Sequence, residues 1–362
     1  MVIKFLWMAA LLLMSASCGT SRESEPPTPP TGNGGGTTPD TEEVKDMPES
    51  EVPHDVIVAY VTSWNSDMPD PSLITHINYA FGHVTDSQNG IRIDNPDRLK
   101  RLVALKKQNP ELKVLLSIGG WGSGNFSEMA ASTTKREWFA KDCLRVIRDY
   151  DIDGIDIDWE YPTSSAAGIS SSPNDKANFT FLMRDIRNAI GSKYLLTFAS
   201  SATAGYITLR NVMPYVDFVN IMSYDMGYGG GHNAGLYPSN IVGSLSTSGA
   251  VTAHLKAGVP AEKLVLGIPF YGRYANDEFV YYKDIKLRDG ETAKWDEVGM
   301  VPYVVDRNGK FVLGYDDERS VAAKTDYAVA NGLCGVMFWD SAGDDSRRTL
   351  THTIYNHLHP NP

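Results

Sequence analysis

The stretch Asp153-Gly154-Ile155-Asp156-Ile157-Asp158-Trp159-Glu160-Tyr161-Pro162 alternates acidic and large apolar side chains. In an extended strand, successive side chains point to opposite faces. Asp156, Asp158 and Glu160 therefore share one face, and Ile155, Ile157 and Trp159 share the other. Asp153 has the opposite parity and is expected to support the start of the strand. Three neighbouring carboxylates repel when all are ionised, so they share protons and at least one pKa rises. A purely structural role would scarcely favour that row, and a solvated acidic strand does not fit the apolar residues between the acids. A divalent metal is the remaining bland reading. No histidine cluster accompanies the acids, so neither metal nor cofactor is expected.

Outward from this segment the pattern repeats. Short apolar, β-branched runs occupy 56–60, 74–81, 114–118, 154–159, 195–199, 216–222, 264–270 and 333–339. Near-continuous runs of this kind suit parallel strands covered on both faces. Amphipathic stretches of helical length lie between most of them, at 98–108, 135–150, 177–190 and 320–330. Eight such steps predict an α/β protein with the (β/α)8 TIM-barrel fold. A doubly wound open sheet is the alternative, but no glycine-rich phosphate loop follows the first run. Barrel chemistry gathers at the C-terminal strand ends. Those ends carry aromatic residues and carboxylates, the pairing that stacks on pyranose faces and binds hydroxyls.

The chain has 362 residues and a formal net charge of -11, which argues against a nucleic-acid partner. Lys4 precedes an apolar run from Phe5 to Met14, too short to span a bilayer and suited to a secretory leader. The run ends in Ser15-Ala16-Ser17-Cys18 and resembles a bacterial lipobox, which implies a lipidated Cys18. Residues 1–18 are expected to be a lipoprotein signal peptide. Residues 19–51, rich in Pro, Gly, Thr and acids, are expected to form a disordered linker. The folded domain then covers 52–362, tethered at the cell envelope by its lipid as a monomer. Cys143 and Cys334 are expected to be buried thiols, with a disulfide between them left open.

The acidic segment resembles the signature of family 18 glycoside hydrolases, the chitinase and endo-N-acetylglucosaminidase family, with acids at 153, 156, 158 and 160. Other motifs agree: Asn78-Tyr79-Ala80-Phe81, Ser117-x-Gly119-Gly120, Met222-x-Tyr224-Asp225, Pro269-Phe270-Tyr271-Gly272-Arg273 and Gly335-Val336-Met337-Phe338-Trp339. The resemblance implies a substrate-assisted mechanism, in which the sugar's own 2-acetamido carbonyl attacks the anomeric carbon. Glu160 would protonate the leaving oxygen and Asp158 would orient the acetamide. Asp156 would share a proton with Asp158, and Tyr224 would hydrogen-bond the acetamide carbonyl. Trp339 would form the floor under the sugar. Asp225, Met222, Tyr161, Trp121, Gly120, Arg273 and Phe81 are the further implied substrate contacts. Tyr60, Ser117 and Asp153 would support the acidic row.

Members of this family often insert an α+β unit between the seventh and eighth strands. Here the span from Arg273 to Phe311 is small, so the insertion is expected to be short or absent. The implied activity is endo-acting cleavage of β-1,4-linked N-acetylglucosamine polymers, chitin or its oligosaccharides. One alternative is an endo-β-N-acetylglucosaminidase on N-glycans. Another, of a different class, is a non-catalytic sugar-binding lectin, but lectin-like relatives usually lack the acid that stands here as Glu160.

Overall fold

The computed structural model describes residues 55–228, 230–241 and 245–360. The expected leader, its Cys18 and the linker lie outside the described residues. Each of the eight apolar runs contains a strand. In chain order the strands are β1 (Val56–Thr62), β2 (His76–Val84), β3 (Ile91–Ile93), β4 (Lys113–Gly119), β5 (Gly154–Asp158), β6 (Leu195–Ser201), β7 (Phe218–Met222) and β8 (Leu264–Pro269). Then come β9 (Tyr271–Tyr274), β10 (Phe279–Tyr281), β11 (Thr292–Asp296), β12 (Val301–Val305), β13 (Phe311–Gly314) and β14 (Gly335–Trp339).

Strands β1, β2, β4, β5, β6, β7, β8 and β14 pair in parallel in that order, and β14 returns to β1. The seam runs in register from Val56 opposite Gly335 to Ala59 opposite Phe338. This is the closed (β/α)8 wall expected from the sequence. Around it lie α1 (Pro96–Val103), α2 (Phe126–Ala131), α3 (Thr133–Tyr150), α4 (Asp175–Ile190), α5 (Leu209–Val212), α6 (Thr247–Lys256), α7 (Glu318–Ala330) and α8 (Thr349–Leu358). Capping sets several boundaries. Ser132 accepts from the Lys135 amide at the start of α3, and Asp317 and Ser320 close a reciprocal capping box on α7.

Strand alternation sorts the two sides of the wall. On β1, Ile57, Ala59 and Val61 pack outward with the helices, while Val56, Val58 and Tyr60 pack inward. The lower interior is apolar, filled by residues such as Val58, Phe218, Val265 and Met337. Above it lies a buried polar layer of Asn78, Ser117, Asp156, Thr197 and Asn220. Buried polar groups need partners, and Ser117, Thr197 and Asn220 of this layer find theirs in Asp156. Cys143 is a buried free thiol in α3, and Cys334 is buried just before β14.

Between β8 and β14 the structure decides between the two expected cases. The insertion is short, but it is not absent. Strands β9 to β13 form a separate antiparallel sheet in the order β10-β9-β13-β12-β11. No strand in it exceeds five residues. Its inner strand β12 is mostly buried, whereas β11 is mostly exposed. Strands so short carry no long apolar run, which is why a reading based on runs passes over them.

Candidate active site

The three acids rise along β5 and its exit, as parity requires. Asp156 lies deepest and is fully buried. Its Oδ2 accepts from the Tyr60 hydroxyl at 2.9 Å and the Ser117 hydroxyl at 2.8 Å. Its Oδ1 accepts from Thr197 at 2.6 Å and from the Asn220 amide at 3.2 Å. Burial pushes this carboxyl above its usual range, although the four donors pull the other way. Asp158 is buried next, and its Oδ1 has no hydrogen-bond partner among the described residues. Burial, then the charges of Glu160 and Asp156, push its carboxyl well above the ordinary value. At the mouth, burial pushes Glu160 up to about 7 against the pull of the Tyr161 hydroxyl, and the charge of Asp225 adds to the rise. A carboxylic acid in that range is protonated near neutral pH and can give its proton up, as a general acid must.

The back of β5 anchors the row. Trp159 stacks on Phe126 at 5.3 Å between ring centres and tilts against Phe179 at 6.2 Å, between α2 and α4. Asp153 sits apart from the acids. Its carboxylate accepts from the Val114 amide at 2.7 Å and pairs with Lys106 at 2.6 Å, so it ties β5 to β4 at the base of the barrel. The glycines after Ser117 let β4 end close to β5. Gly119 has φ of +133°, and a Cβ there would fall 1.9 Å from the Asp158 carbonyl oxygen. The Gly120 amide donates to that same oxygen at 2.8 Å. A Cβ on Gly120 would meet the Phe81 ring at 2.6 Å. Gly120 therefore acts through backbone contacts around Asp158.

Aromatic residues surround the acids on two sides. Trp339, at the end of β14, stacks on Phe81 at 5.7 Å and leans on Tyr60 at 5.6 Å. Phe81 is itself buried, so it backs Trp339. Trp64 follows β1, is 62% exposed, and lies 6.5 Å from Trp339. On the opposite arc, Trp121 meets Tyr161 edge-on, and Tyr161 stacks on Tyr206 at 4.6 Å. Tyr224 and Met222 pack against the interior cluster above β7. Burial, then Asp158 and its neighbouring acids, push the Tyr224 hydroxyl well above its usual range, so it stays a neutral donor.

Asp225 is held from the insertion side. Its Oδ1 accepts from the Tyr271 hydroxyl at 2.8 Å and pairs closely with the Arg273 guanidinium. Arg273 thus serves a cleft carboxylate and not an outlying surface acid. The peptide bonds Ala80–Phe81, Glu160–Tyr161 and Trp339–Asp340 are cis.

Every described residue singled out in the sequence lies at this mouth or supports it, apart from Asp153 at the base. Sequence reasoning passed over Thr197 and Asn220, whose only signal is a polar side chain inside an apolar run. It quoted Tyr271 only within a strand motif, without its bond to Asp225, and it passed over Trp64 and Tyr206. The last two lie in loops, where no periodicity speaks.

Chitinase A1 of Niallia circulans is 33% identical over 80% of this chain, and the match covers 57% of that protein's length. Mouse chitotriosidase-1 is 32% identical over 80% of this chain and 73% of its own. A solved family 18 N-acetylglucosaminidase from Paenibacillus barengoltzii superposes with a TM-score of 0.77 at 36% identity, covering 84% of this chain and 99% of that one. The sequence model of glycosyl hydrolases family 18 matches residues 56–344, a span that contains the acidic row, its four donors and both aromatic arcs. The chain therefore belongs to glycoside hydrolase family 18.

Proposed function

We propose that this protein is a chitinase-type hydrolase that cleaves internal β-1,4 links of N-acetylglucosamine polymers by substrate-assisted, retaining catalysis. The carrying observation is the unpartnered Oδ1 of buried Asp158. A buried carboxylate oxygen without a donor calls for one, and the N–H of a 2-acetamido group supplies it. Glu160, protonated near neutral pH, would give its proton to the leaving oxygen. The acetamide carbonyl oxygen would then bond to the anomeric carbon as the glycosidic bond breaks. Asp158 would balance the positive charge of the cyclised sugar, and Tyr224 would donate to the acetamide oxygen. Water activated by the Glu160 carboxylate would open the ring and return the proton.

A protein nucleophile fits less well. A retaining enzyme of that kind places its second carboxylate across the sugar from the acid. Asp158 and Asp156 share the strand of Glu160, and Asp225 is committed to Tyr271 and Arg273.

Removing the acetamide tests the mechanism. A substrate with a 2-amino or 2-hydroxy group in the subsite on the non-reducing side of the cut should be almost inert, and a thiazoline mimic of the cyclised sugar should inhibit competitively. Efficient cleavage of such substrates, or a glycosyl ester trapped on any carboxylate, would falsify the substrate-assisted reading. Product lengths from chitin hexamers, measured beside N-glycopeptides, test the polymer and the endo mode. Release of single N-acetylglucosamine units alone would favour an N-acetylglucosaminidase, the activity named for the Paenibacillus relative. We also propose that a lipid on Cys18 holds the domain at the cell envelope, on the strength of the leader-like run ahead of it.

A further inference from the structure

Two tryptophans form the floor on the β14–β1 side of the mouth, and each is followed in sequence by a polar residue. Asn65 follows the exposed Trp64, and Asp340 follows Trp339. Both polar residues meet at one hydroxyl. The Asn65 amide donates to the Tyr281 oxygen at 2.9 Å, and the Tyr281 hydroxyl donates to Asp340 Oδ2 at 3.1 Å. A phenol has one proton to give and lone pairs to receive, and Tyr281 uses both. The same Asn65 amide also donates to Thr62 Oγ1 at 2.8 Å, at the end of β1. Asp340 is 1% exposed, and its other oxygen accepts from the Ala342 amide at 3.0 Å.

Tyr281 does not belong to the barrel. It ends β10, the edge strand of the insertion sheet. Its ring meets Phe279 edge-on at 4.9 Å, and Phe279 stacks on Tyr271, the donor to Asp225. The insertion thus reaches the floor through the Tyr281 hydroxyl, and it reaches the Asp225 wall through Tyr271 and Arg273 of β9, with Phe279 stacked on Tyr271.

We propose that Tyr281 is a positioning residue for substrate binding: its hydroxyl, held between Asn65 and Asp340, fixes Trp64 and Trp339 as one sugar-binding floor. The proposal rests on the saccharide reading above for the identity of what lies on that floor. The insertion sheet thereby sets how the two indoles sit.

Tyr281→Phe removes both hydrogen bonds and keeps the ring against Phe279. In a Glu160→Gln background, which separates binding from turnover, the variant should bind an N-acetylglucosamine tetramer about tenfold more weakly. Its Tm should move by no more than a few degrees. Asp340→Asn should weaken binding too, and the double variant should be little worse than the worse single one, because both changes break one contact. The indole N–H resonances of Trp64 and Trp339 should shift in the saccharide-free Tyr281→Phe protein, while that of Trp159 stays in place. An unchanged dissociation constant overturns the proposal, and so does full additivity of the two substitutions. If the Glu160→Gln parent bound no saccharide, the substrate reading would fall. The indole resonances would then decide the role of Tyr281, and unmoved Trp64 and Trp339 signals would overturn it.

Discussion

Glu160 keeps its proton to near-neutral pH because burial penalises its charged form. Glu160→Gln should lower kcat by ~10²- to 10⁴-fold with saccharide binding retained; single-turnover kinetics beside titration calorimetry checks both. The same substitution carries a stability signature. A carboxyl at about 7 in the fold and near 4 when unfolded stabilises the fold fully below the lower value, and that contribution is lost as pH rises through about 7. The Gln variant should therefore be more stable than wild type at pH 8, by at most about 4 kcal/mol, and equally stable at pH 4, as melting at the two pH values would show. Equal melting of the two proteins at pH 8 would contradict the raised pKa. The charge of Asp225 adds to that rise. Asp225→Asn should move the alkaline limb of kcat/KM to lower pH, and a limb that stays or climbs would exclude that coupling. At this scale the acids were legible because their order follows from a period of two along one strand. Two of the donors to Asp156, Tyr60 and Ser117, were legible as well, but Thr197 and Asn220 were not, since they reach it from other strands whose register no single sequence states.

Strand β5 shows how far an element can be read alone. Its outward face, with Trp159 between Phe126 and Phe179, and its inward acids both follow from alternation. The insertion was the opposite case: antiparallel strands of a few residues leave no repeat long enough to count. Its exit is fixed by a charge pair the sequence does not mark. Lys324 on α7 and Asp316, two residues past β13, are both fully buried and bonded to each other. Ser320 adds a donor to Asp316 at 2.7 Å. Removing one partner of a buried pair leaves the other charge stranded. Lys324→Met should cost about 3–5 kcal/mol in urea denaturation, and Lys324→Met with Asp316→Leu should recover much of it. A double variant no more stable than the single one would show that packing, and not the stranded charge, sets the cost.

The whole molecule was legible as a count. Eight apolar runs, spaced by helical lengths and with no glycine-rich phosphate loop after the first, point to a closed wall over an open doubly wound sheet. What lies before the wall is testable without structure. Cys18→Ala should move the protein from the detergent phase to the aqueous phase, or leave its leader uncleaved. Equal aqueous partitioning of wild type and variant would remove the anchor.

The β1–β14 seam has a meaning in time as well as in space. The strand that leaves the ribosome first must wait for nearly the last one before its second edge is covered. Until Gly335 to Trp339 are made, the chain is an open sheet with two bare edges, the form most prone to pair with other strands. A message that stops anywhere before that point encodes no smaller barrel. Truncation before β14 therefore leaves the closed wall without its last strand.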